Sequence, residues 1–135
     1  MRIVIDTNCW FGILPIDAPY GFIADRLVEG AFTLVVSTQI MLEYEEIIGG
    51  RLKNVDAATF TSLLTLLDNV EKIEPSFRFG LISADADDNK FVDCAIAGQA
   101  DLIVTDDRHF EVLEKIIFPK VSILSLNAFA GLLPQ

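Results

Sequence analysis

Four short runs rich in β-branched residues constrain this chain more than anything else in it: RIVI (2–5), FTLVV (32–36), LIV (102–104) and VSIL (121–124). Each is bounded by polar or turn residues, as buried strands are. Between them, FIADRLVEG, TQIMLEYEEIIGGRL, DAATFTSLLTLLDNV, DNKFVDCAIAGQA and RHFEVLEKI carry apolar residues at three- and four-residue spacing, and Gly49 with Gly50 are expected to stop the second of these helices. Strands separated by helices imply a parallel sheet covered on both faces. The expected fold is therefore α/β, a three-layer α/β/α arrangement with a central, mainly parallel sheet of four to five strands. The stretch PSFRFGLISADADD (75–88) is the least regular and reads as a surface loop leading into a helix.

Size and hydropathy fit that expectation. The chain has 135 residues, 52% of them hydrophobic, with a mean hydropathy of +0.45, enough for one good core. One domain spanning 1–135 is expected. No apolar stretch approaches the ~20 residues needed to cross a bilayer, and the start lacks the basic and apolar regions of a signal peptide. A cytoplasmic protein with no membrane partner is expected. Cys9 and Cys94 have apolar neighbours and no metal-type spacing, so both read as buried free thiols.

In a parallel sheet, functional groups gather at the carboxyl ends of the strands. Asp6 lies just past the first strand, and Asp106 and Asp107 just past LIV. Asp85, Asp87 and Asp88 open the helix NKFVDCAIAG, and Glu43 lies inside TQIMLEYEEII. Each acid has an ordinary explanation as a helix cap, a first-turn residue or part of a solvated face. Jointly they place carboxylates on four elements. Converging carboxylates repel one another unless a cation sits among them. Mg²⁺ suits such a site, because it takes oxygen ligands and is commonly held by a few carboxylates together with substrate phosphate oxygens. Thr7, Asn8 and Thr105 would then orient ligands or waters by hydrogen bonds.

Charge sets a condition on the substrate. With 20 acidic and 10 basic residues the formal net charge is −10, which excludes the broad basic footprint of a metal-free nucleic-acid binder. A metal-dependent nuclease remains open, since bound divalent ions reverse the local charge. Lys90 and Arg108 stand beside the acids in sequence as candidate phosphate contacts, while His109 reads as a structural or surface residue. Asp93 and Asp101 read as surface or rim residues.

Three stretches, IVIDTNCWFG, STQIMLEYEEII and DADDNKFVDCAIAGQADLIVTDDRHF, together resemble the PIN-domain family, in order and over nearly the whole chain. The match is similar to the branch containing toxins of toxin–antitoxin systems, relatives of the VapC-type ribonucleases. The resemblance implies a metal-dependent endoribonuclease that uses Mg²⁺ or Mn²⁺ and hydrolyses RNA phosphodiesters with an activated water. It matches Asp6, Glu43, Asp88 and Asp107 to the family's acids, which act as metal ligands and catalytic residues. Thr7, Asn8 and Thr105 fall on the supporting positions, with Asp85 and Asp106 as adjacent alternatives to Asp88 and Asp107. It also implies a cognate antitoxin and a homodimer. Two other readings are weaker: a catalytically weak PIN-like RNA-binding scaffold, which would be favoured by a missing acid, and a metal-dependent phosphohydrolase acting on small phosphate esters. The second of these expects D-x-D after the first strand, where this chain has D-T-N.

Overall fold

A computed structural model describes residues 1–134. Five strands, β1 (Arg2–Ile5), β2 (Thr33–Val36), β3 (Val70–Lys72), β4 (Leu102–Val104) and β5 (Ile123–Leu124), form one sheet in the order β3-β2-β1-β4-β5. Every neighbouring pair is parallel. Side chains along a strand point alternately to opposite faces, yet Ile3, Val4 and Ile5 are all fully buried. Both faces of the central strand are therefore covered, as the expected three-layer fold requires.

The covering helices are α1 (Phe22–Val28), α2 (Thr38–Arg51), α3 (Ala57–Leu66), α4 (Asn89–Ala97) and α5 (Leu126–Leu132). Short polar side chains start several of them: Ser37 accepts from the Ile40 amide at 3.2 Å and Asp56 from the Thr59 amide at 3.2 Å. At the end of α4, Gly98 permits a close approach, because a Cβ there would stand 2.6 Å from Val35 Cγ1 and 3.0 Å from the Cys94 carbonyl oxygen and would force a shift. That close approach seats α4 against the middle of the sheet.

Several local expectations change. Gly49 and Gly50 do not end α2, which runs on to Arg51. Ile48 is fully buried and holds the last turn in place, and the missing side chain at Gly49 lets the Ala57 methyl of α3 approach. The end of the DAATFTSLLTLLDNV segment leaves the helix and contributes Val70 to the edge strand β3. The segment Arg108–Lys115 is a 3-10 helix, and its buried pair Phe110 and Leu113 stands at the three-residue spacing that such a helix stacks on one side. Both cysteines are buried and free. Among the described residues no helix is long and apolar enough to cross a membrane.

Candidate functional site

Because the strands are parallel, β1, β2 and β4 end at one edge of the sheet. There the chain turns polar: Asp6 follows β1, Ser37 and Thr38 follow β2, and Thr105, Asp106 and Asp107 follow β4. The Asp6 amide still donates to the Val104 carbonyl at 2.9 Å, so the sheet ladder fixes its backbone. Its carboxylate accepts from the Thr105 hydroxyl at 2.8 Å and is almost wholly buried. Thr105 also accepts the Asp107 amide at 3.0 Å, which ties two acids to one hydroxyl.

Glu43 approaches from α2. Thr7 donates its hydroxyl to one Glu43 oxygen, and the Lys90 ammonium stands 2.7 Å from the other. The neighbouring Tyr44 is fully buried and donates to the Ile5 carbonyl, the residue just before Asp6. Tyr44 thus braces α2 against the end of β1, a role that the acidic run EYEE around it conceals in the sequence. The single aromatic in that run is the one signal of it.

The third element is the short 3-10 turn Ala86–Asp88 with α4 behind it. Asp85 caps that turn, accepting from the Asp87 amide at 3.1 Å, and is exposed. Asp88 points inward. Its Oδ2 is buried and makes no hydrogen bond. Asp107 caps the next 3-10 segment through the His109 amide at 2.9 Å, whereas Asp106 accepts from the Leu126 amide at 3.1 Å and starts α5. The two neighbouring aspartates are thus separated by their partners, Asp106 turning toward α5 and Asp107 staying with Thr105. Asn8 is exposed and lines a cavity of about 210 Å³ with Asp6, Cys9, Asp106 and Asp107.

Electrostatics record the convergence. Burial pushes the Asp6 carboxyl up to about 6, with Asp88, Asp107 and Glu43 adding repulsion and the Thr105 hydrogen bond pulling back. Asp88 is likewise pushed up to about 6, by burial first and then by Asp107 and Asp85, against a smaller pull from His109. Lys90 loses by burial but is held above its ordinary value by Glu43 and Asp87, at 2.7 and 2.9 Å. Its ammonium is thus turned into the site, not outward, and Arg108 is the exposed one of the two.

A hard divalent cation fits this donor set: carboxylates from four elements repel one another, and one buried oxygen lacks any hydrogen-bond donor. Among the described residues, the set whose ligand atoms all lie within 4.8 Å of one another is Asp85, Asp88 and His109. The family resemblance matches Asp88 to the site, and the sequence reads His109 as a structural or surface residue; in the folded chain the two adjoin. Asp93 also departs from expectation. It is buried, and its carboxylate accepts from the Phe79 amide at 3.0 Å, anchoring the 75–88 loop beside the site. Asp101 is exposed and accepts from the Arg2 amide.

A family model described as PIN domain matches residues 2–109, a span that contains every acid named above. Among solved structures, the fold is similar to that of VapBC2 from Rickettsia felis bound to a DNA fragment from their promoter, with a TM-score of 0.62 and 14% identity over 93% of this chain and 98% of that one. It is also similar to the PIN domain endonuclease Utp24, with a TM-score of 0.50 and 16% identity over 92% of this chain and 84% of that one. At such identities the likeness is one of fold. No curated protein matches the chain significantly.

Proposed function

Since the chain belongs to the PIN domain family, we propose that it is a metal-dependent endoribonuclease that hydrolyses RNA phosphodiester bonds with water, without a covalent enzyme intermediate. The observation that carries this reading is the convergence of Asp6, Glu43, Asp88 and Asp107 from four elements, with a buried Asp88 oxygen left without a hydrogen bond.

In this reading Asp6, Asp88, Asp107 and Glu43 would hold Mg²⁺ or Mn²⁺. A divalent ion supplies positive charge that neutralises the phosphate and makes water acidic near neutral pH. The chain does the positioning. Thr105 fixes Asp6 and the Asp107 backbone, Thr7 and Lys90 fix the two Glu43 oxygens, and Tyr44 sets α2 against β1. One carboxylate of the cluster takes the proton of the attacking water. Arg108, exposed at the rim with Asp106, Asp107 and His109, meets the RNA phosphates. Asn8, exposed beside Asp6 and Asp107, would orient ligands or water at the edge of the site, with Asp85 and Asp106 as adjacent alternatives to Asp88 and Asp107.

We read the biological setting as that of a cytoplasmic toxin, one domain over 1–135, paired with a cognate antitoxin and itself a homodimer. The sequence resemblance to VapC-type toxins and the likeness of fold to VapBC2 support that setting. Cleavage of a mixed single-stranded and structured RNA pool tests the activity, with Mn²⁺ or Mg²⁺ against EDTA and with Asp6→Asn beside wild type. Metal-dependent cutting that Asp6→Asn abolishes is the expected result. A folded, metal-binding protein that leaves every RNA intact overturns it.

A further inference from the structure

His109 is the one histidine of the chain. Its backbone amide is bonded to Asp107 Oδ1 at 2.9 Å, and this turn brings the ring round to face α4. Nδ1 then stands 3.5 Å from Asp88 Oδ2 and 3.5 Å from Asp107 Oδ1. Hydrogen bonds of this type run about 2.7–3.2 Å, so neither contact is one. Two ligand atoms that each lie about 2.1 Å from one ion are roughly 3 to 4 Å apart, and this is the spacing seen. A separate observation points the same way. Asp88 Oδ2, one of the two oxygens 3.5 Å from Nδ1, is buried and has no hydrogen-bond donor. Asp85 offers a further oxygen, so that its ligand atom, that of Asp88 and that of His109 all lie within 4.8 Å of one another.

We propose that His109 is a nitrogen ligand of the divalent ion, shared with Asp88, and that it makes the site prefer transition-metal ions such as Mn²⁺ and Co²⁺ to Mg²⁺. The proposal rests on the metal-site part of the reading above and decides which ion is taken. Mg²⁺ binds oxygen and keeps its waters, whereas imidazole nitrogen suits transition ions, with affinity rising from Mn²⁺ to Co²⁺. A site made of carboxylates alone shows a shallower gradient among these ions, which is why the loss in the His109 variants, graded by ion, is the diagnostic.

The same geometry has a rival explanation, in which a protonated His109 acts as a counter-cation for Asp88 and Asp107. The two make opposite predictions. Removing a counter-cation tightens the binding of every divalent ion, whereas removing a ligand weakens it, most for the ions that seek nitrogen.

The test is calorimetric titration of the full chain with Mg²⁺, Mn²⁺ and Co²⁺, comparing wild type with His109→Ala and His109→Gln. The visible absorption of bound Co²⁺ serves as a second readout. In wild type the affinities should rise from Mg²⁺ to Mn²⁺ to Co²⁺. His109→Ala should weaken Co²⁺ about tenfold or more, Mn²⁺ several-fold and Mg²⁺ less than about twofold, and should change the Co²⁺ spectrum. Equal changes for all three ions, or tighter binding in the variants, overturns the proposal. A wild type that binds none of the ions overturns both the proposal and the metal site beneath it. Graded binding without RNA cleavage leaves the proposal standing and overturns the nuclease reading alone.

Discussion

Two regions meet at Ile5 and Asp6 and obey opposite rules. Below the meeting point, β1 runs through an apolar interior where Trp10 packs edge to face on Tyr44 and Phe60, its centroid 5.7 and 4.9 Å from theirs, and where the Tyr44 hydroxyl is bonded to the Ile5 carbonyl. Above it, Asp6 and Asp88 are packed among like charges with their carboxyls pushed up to about 6. The interior is arranged for stability, and the acidic edge is stable only in proportion to what neutralises it. Active sites commonly hold such locally unfavourable arrangements against a well-packed remainder.

Replacing Trp10 by Ala should break the interior side of this contrast most severely. It is fully buried, and such a truncation costs about 3–5 kcal/mol, to be read as a lowered urea midpoint. Asp88→Asn should do the reverse at the acidic edge. RNA cleavage should fall more than about 100-fold, while the thermal midpoint of the metal-free protein rises, because a repelled carboxylate has gone. A variant that loses both activity and stability would erase the contrast.

Acidity sharpens the same point without mutation. In the unfolded chain an aspartate releases its proton near pH 4, whereas in the fold Asp6 and Asp88 hold theirs to about 6. Between those values the folded state binds more protons, so metal-free stability should fall as pH rises from about 4 to about 6 and then level off. A fixed Mn²⁺ concentration, a hundredfold above the Kd at pH 7.5, should restore about 2 to 3 kcal/mol at that pH and far less at pH 5, where protons compete for the carboxylates. Equal stabilisation at both values, measured by thermal melts, would place the ion elsewhere. The smallest effect belongs to Tyr44→Phe, which removes the brace between α2 and β1. About 1–2 kcal/mol of stability should go with the lost bond to Ile5, together with a several-fold fall in cleavage as Glu43 loses its register.

Four of the five strands and the helices between them are legible in the sequence, as are the acids that follow β1 and β4, because strand periodicity and acids at strand ends are local signals. It hides what depends on orientation. Edge strand β3 has three residues, of which Glu71 and Lys72 are exposed, too short and too polar for an alternating pattern to register. Asp93 sits on a helix whose spacing permits a surface position, but it is buried, with the returning 75–88 loop bonded to it through the Phe79 amide. Asp106 and Asp107 are adjacent in sequence, and their separate partners, Leu126 and His109, lie on different elements. His109 itself enters the site through a 3-10 turn, which apolar spacing read as α-helical cannot place.

The hydrogen bond from Thr105 to Asp6 joins residues 99 positions apart. On the ribosome, Asp6 is made roughly a hundred residues before Thr105, at about 5–20 residues per second. Throughout that interval the nascent polypeptide has no strand β4, no Asp107 and hence no assembled acidic centre. The centre is therefore assembled only after synthesis has passed Thr105, several seconds behind Asp6 itself, so whatever chemistry it performs begins with the released fold and not with the growing chain.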